Sequence, residues 1–173
     1  VLIIFSFLGP LLLATIMYKY SDVVPIAPPK SYGNLIDPVI TINAETDFDN
    51  ILERKKWTLM YVYENETCDL LCEATLYVMQ QVRESLGRER SRVSNVIVIN
   101  NDFENEQNEK IIKKYDKIRF IKVINNNFFK NLEKNHLYII DPLGNIFIFY
   151  DKDFSAEGLK KDIKKILKVS RIG

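Results

Sequence analysis

The sequence predicts an α/β fold, a central sheet with helices on both faces, preceded by one apolar helix at the N-terminus. Three observations carry this. Apolar runs of strand length alternate with amphipathic runs of helical spacing, two late apolar runs flank a turn signal, and the opening run carries no charge.

The uncharged run is Val1 to Met17, followed by Tyr18, Lys19 and Tyr20. At about 1.5 Å per residue it approaches the roughly 30 Å of a bilayer's hydrocarbon core, and Tyr and Lys suit the headgroup level beyond it. Pro10 would be costly in a water-soluble helix but is tolerated in membrane helices. A cleaved signal peptide would end in a small-x-small site, and none follows closely. Val1 to Tyr20 is therefore expected to be a retained single-pass transmembrane anchor. It opens on Val with no basic residue before it, so its true beginning is expected to be missing or to come from an alternative start codon, and the positive-inside rule determines the orientation only weakly. Ser21 to Asp49 contain Pro25, Pro28, Pro29, Gly33 and Pro38 and are expected to form an extended tether. Asn50 to Gly173 then has the length of one ordinary domain.

Within that domain Trp57 to Tyr63 (WTLMYVY) is aromatic and apolar, a buried strand. Asp69 to Leu86 places Leu71, Ala74, Val78 and Val82 at helical spacing, and Gly87 stops it. Val93 to Asn100 is a second buried strand. Glu104 to Tyr115 is a polar helix with Asp102 as its expected cap, and Arg119 to Ile124 is a short third strand. Leu137 to Ile140 and Asn145 to Tyr150 flank Asp141-Pro142-Leu143-Gly144, a hairpin turn. Ser155 caps a last helix with Leu159, Ile163, Ile166 and Leu167 inward. The order β-α-β-α-β-β-α is compatible with a thioredoxin-like fold, and with several other α/β folds.

The chemistry is concentrated in Cys68-Asp69-Leu70-Leu71-Cys72, the chain's two cysteines, between the first core strand and the following helix. A thiol at a helix N-terminus meets unpaired N–H groups and the positive end of the dipole, which favour thiolate, although Asp69 opposes it by its charge. Two sulfurs four residues apart can bridge, exchange disulfides, or clamp a soft ion such as Cu(I). They do not complete a zinc site alone. The plainer reading is an inert local disulfide, or simply two small half-buried residues. A working pair should keep one accessible sulfur, whereas a staple should lie under side chains.

At these residues the chain resembles the Sco/SenC family, membrane-anchored thioredoxin-fold proteins that help load copper into cytochrome c oxidase. The resemblance runs from Trp57 to the C-terminus, through WTLMYVY, CDLLC, VIVIN and LYIIDPLGNI. It implies that Cys68 and Cys72 are the redox-active or copper-binding thiols and that His136 is a candidate third copper ligand. That ligand lies further upstream in the family, whereas His136 stands two residues before Tyr138. The resemblance also implies a bacterial inner-membrane protein with its domain in the periplasm and respiratory oxidase subunits as partners. The other reading is a non-enzymatic interaction module of a membrane complex with structural or dispensable cysteines.

Other signals are weaker. Met60 and Met79 are expected to fill the core. Lysines 160, 161, 164, 165 and 168 are read as a solvated helix face. Asn65-Glu66-Thr67 has the letters of a glycosylation sequon. With 24 Lys and Arg against 23 Asp and Glu the net charge is +1, so nothing favours nucleic acid. Neither a phosphate loop nor a Ser-His-Asp pattern is present, which leaves hydrolases and nucleotide enzymes without support.

Overall fold

The computed structural model describes residues 2–19, 31–42, 52–53, 55–99, 103, 105–122 and 132–172. They fall into two units, Val1–Lys30 and Ser31–Gly173.

In the first unit, α1 (Leu2–Lys19) forms where the apolar run predicts a helix, with Pro10 inside it. Its 18 residues extend about 27 Å, short of a core of roughly 30 Å. Among the described residues no helix is long and apolar enough to cross a membrane.

The second unit holds the other elements in the order β1 (Asn34–Thr41), β2 (Trp57–Tyr63), α2 (Leu70–Glu84), β3 (Val93–Ile99), α3 (Glu106–Lys114), β4 (Arg119–Lys122), β5 (His136–Ile140), β6 (Asn145–Tyr150) and α4 (Ala156–Val169). They build one sheet in the order β1-β6-β5-β2-β3-β4. Strands β2, β3 and β4 run parallel, and β5, β6 and β1 add antiparallel neighbours on the other side. The predicted hairpin is present. Gly144 takes a φ of +91°, and the Asp141 carboxylate accepts from Leu143 N at 2.8 Å and Asn145 N at 2.9 Å.

Alternation along the strands divides the core. Leu59, Tyr61, Tyr63, Ile97, Leu137 and Ile139 face one side, with α2, α4 and both cysteines. Met60, Val62, Val96, Val98, Tyr138 and Ile140 face the other. Helices were expected on both faces. Among the described residues, the packed apolar side chains of α2, α3 and α4 all belong to the first cluster, while Ile42, Leu52 and Leu132, from outside the helices, contribute to the second. A short apolar loop residue covers a strand face as well as a helix does.

Three boundaries differ from the sequence reading. Asn34–Thr41, expected within the tether, is an edge strand, and Pro38 fits there because it lies between the paired positions of β1. Residues 21–30 and 43–49 of that tether lie outside the described residues, as does the expected cap Asp102. Helix α3 begins at Glu106, and Asn105 caps it by accepting from Asn108 N at 2.9 Å. Helix α2 ends at Glu84, and a 3-10 turn over Gly87–Arg92 leads into β3.

The largest phase difference is in α2. Its buried residues are Cys72, Thr75, Leu76, Met79 and Val82, whereas Leu71 and Ala74 of the expected face are exposed. Cys72, joined to Cys68, packs in the same buried cluster as Leu76, Met79 and Val82, so position 72 points inward.

Candidate functional site: the cysteine pair

Cys68 follows the C-terminal end of β2, and Cys72 lies in the first turn of α2. The two are joined as a disulfide with 5.3 Å between their Cα atoms. Cys68 retains 4% exposure and Cys72 none, so both residues are buried and only Cys68 has any surface.

The loop that presents them is held on three sides. Tyr63, the last residue of β2, donates its hydroxyl to Thr67 O at 2.7 Å and accepts from Asp69 N at 3.2 Å. Asn108 is fully buried on α3; its Oδ1 accepts from Cys68 N at 3.0 Å while its Nδ2 donates to Glu66 O and Phe103 O, each at 2.7 Å. Asn105 Nδ2 donates to the same Glu66 carbonyl at 3.0 Å. Asp69 is the N-cap of α2, its Oδ1 accepting from Cys72 N at 2.8 Å. Asp69 thus occupies an amide that would otherwise face a sulfur, and it adds a negative charge to the helix start.

Tyr61 closes the floor. Its hydroxyl is buried without a hydrogen-bond partner among the described residues, and the nearby Thr75 hydroxyl is donated to Leu71 O at 2.9 Å. Burial pushes the Tyr61 phenol well above its usual range, opposed by the neighbouring Thr75 hydroxyl and reinforced by Tyr63 and Asp69.

His136 is not brought to the cysteines. It pairs with Val62 in the β2–β5 register and so belongs to the sheet face opposite the disulfide. Its Nδ1 lies 2.7 Å from Lys134 O, its Nε2 lies 3.1 Å from Asp151 Oδ1, and its ring meets Phe149 at 5.9 Å. A side chain at an even strand position cannot reach a partner on the odd face. Among the described residues no group of three or more His, Cys, Asp or Glu side chains could hold a metal. The donor set therefore does not complete the three-ligand copper site that the resemblance implies. Met60 and Met79 are fully buried core residues.

Sequence reasoning passed over Tyr63 and Asn108. Tyr63 could have been suspected as a polar-tipped residue ending a buried strand beside the motif. Nothing distinguished Asn108 from the other polar residues of α3.

The family model for the transmembrane-like, thioredoxin-like, C-terminal domain matches residues 57–170. The chain belongs to this family. The matched segment runs from β2 to just past α4 and includes both cysteines. Among solved structures, the fold is similar to apo Sco1 from Thermus thermophilus at a TM-score of 0.57 and 11% identity, covering 81% of this chain and 99% of that one. Copper-bound ScoI from Arabidopsis thaliana aligns at 0.55 and 16% identity, over 70% of this chain and 89% of that one. A DsbF homologue from Corynebacterium diphtheriae aligns at 0.54 and 13% identity, over 80% and 96%. At these identities the likeness establishes a thioredoxin-like fold, shared with Sco proteins and with thiol oxidoreductases. Among curated proteins none matches the chain in sequence.

Proposed function

We propose that this chain is a membrane-anchored, Sco-like protein whose Cys68–Cys72 pair exchanges disulfides with a partner during respiratory oxidase assembly, in the periplasm of a bacterial cell. The observation that carries the reading is the position of the disulfide. It joins the loop after a central parallel strand to the first turn of the following helix, on a thioredoxin-like sheet. Cys68, with its residual surface, is the sulfur to be attacked, and Cys72, fully buried, is the leaving sulfur. The anchor is supported by α1, whose Phe7, Leu11, Leu13 and Met17 side chains are all exposed and apolar. A carbonate wash of membranes should leave the full chain in the pellet, and a chain starting at Ser31 should be released.

Copper is the finer part of the same reading. The similar fold of copper-bound ScoI supports it, and once reduced the two sulfurs would be its ligands. Titration of the reduced chain with Cu(I) against a competing chelator tests it, with loss in Cys68→Ser and Cys72→Ser expected and no further loss in His136→Ala.

The low exposure of both sulfurs favours a second reading, an interaction module in which the disulfide is a structural staple. Equilibration in glutathione buffers separates the two. A potential above about −300 mV supports exchange, and one below it supports the staple.

A further inference from the structure

The helix that carries Cys72 exposes apolar side chains on its outer side. Leu70 is 88% exposed, Leu71 40% and Tyr77 57%. Leu70, Ala74 and Tyr77 follow the i, i+4, i+7 spacing that places them on one stripe, and Leu70 and Leu71 lie inside the disulfide ring itself. The apolar stripe therefore begins inside the ring that the two bridged cysteines close.

The unpaired charge beside it is acidic. Glu66 and Asp69 flank Cys68, both exposed and without an ion pair among the described residues. The nearby cations are already engaged, Lys134 with Glu64 and Lys114 with Glu73. Asp69 spends part of its charge on the helix N-terminus, so Glu66 carries the larger share of the field outward.

We infer that the partner of this disulfide is a cysteine-bearing polypeptide segment that is apolar next to its thiols and basic on its flanks. This rests on the exchange reading above. The partner's thiolate attacks Sγ of Cys68, the Cys68–Cys72 bond breaks, and Cys72 leaves as thiolate and takes up a proton. The partner's second thiol then loses its proton and attacks its own sulfur in the mixed disulfide, releasing Cys68. The partner is oxidised by two electrons to a disulfide, and the pair is reduced to two thiols. The apolar stripe lines up the segment, and Glu66 with Asp69 attracts its basic flanks.

The test follows reduction of the full chain, oxidised and held in neutral detergent, by three reductants: dithiothreitol and two dithiol peptides of one apolar sequence, flanked by lysines or by glutamates. The lysine peptide should react about tenfold faster than the glutamate peptide at low salt, and the gap should close at high salt. Glu66→Gln should narrow that gap. Leu70→Ser and Tyr77→Ser should each lower the ratio of the lysine-peptide rate to the dithiothreitol rate severalfold. Equal peptide rates, or ratios unmoved by Leu70→Ser and Tyr77→Ser, overturn the inference while leaving exchange intact. A disulfide that dithiothreitol cannot reduce in the folded chain removes the exchange reading itself.

Discussion

Asn108 sits on a helix with little apolar content, yet it is the one residue of α3 that is fully buried. It makes three hydrogen bonds that hold Cys68, Glu66 and Phe103 at once. Removing the amide leaves the buried Cys68 N–H unpaired, while Glu66 O and Phe103 O keep their bonds from Asn105. Asn108→Ala should therefore cost about 1 to 3 kcal/mol in urea unfolding. It should also speed reduction of the disulfide by dithiothreitol, because the loop that encloses Cys68 loses its anchor. An unchanged reduction rate would mean that Tyr63 and Asp69 hold the loop without it. His136 shows the opposite relation between composition and role. It is the only histidine in the chain and an obvious ligand candidate, but strand parity directs it to the face away from both sulfurs.

At the scale of elements, the strands and the last helix were legible because hydrophobic period decides them locally. Helix α2 was recognised, but its phase was not. Counting Leu71 and Ala74 as inward treated apolarity as the only vote, whereas the face that packs in the core carries Cys72, Leu76, Met79 and Val82 and takes Thr75 inward with it. Strand β1 was missed because Pro38 and the prolines before it resemble a linker. It is held by contacts more than a hundred residues away. The Asp162 carboxylate on α4, buried, accepts from Tyr32 N at 2.8 Å, Gly33 N at 3.1 Å and Tyr150 Oη at 2.7 Å. Gly33 is needed there because a Cβ would fall 2.5 Å from Ile148 Cγ2. Asp162→Ala strands three donors and should cost about 3 kcal/mol or more. Hydrogen exchange should show β1 losing protection before β2 and β3; uniform loss across the sheet would show that the clasp stabilises the whole domain rather than one edge.

Across the whole molecule, three buried tyrosines couple stability to alkaline pH. Burial pushes the Tyr138 phenol from 10.0 up to about 12. It also raises Tyr61 and Tyr150, the latter helped by its bond to Asp162. Above pH 10 the unfolded chain gives up phenolic protons that the folded chain still holds, so stability is fully present below that pH and falls as pH rises. Each tyrosine contributes a slope of at most about 1.4 kcal/mol per pH unit. Urea midpoints should fall between neutral pH and about pH 11, and Tyr138→Phe should flatten the fall. Midpoints that do not move would show that the rings are solvated.

Local pattern determined the order of strands and helices from Trp57 onward, the Asp141–Gly144 turn, the cap Ser155, and the place of the cysteine motif between a strand and a helix. Each of these depends on neighbours within a few residues, so the sequence states it directly. Tertiary structure decided which face of the sheet His136 occupies, that Asn34–Thr41 joins the sheet, how α2 is rotated, and that Asn108 reaches Cys68 across forty positions. Those outcomes depend on contacts between segments far apart in the chain, where burial and strand parity outweigh the hydrophobicity of any single run.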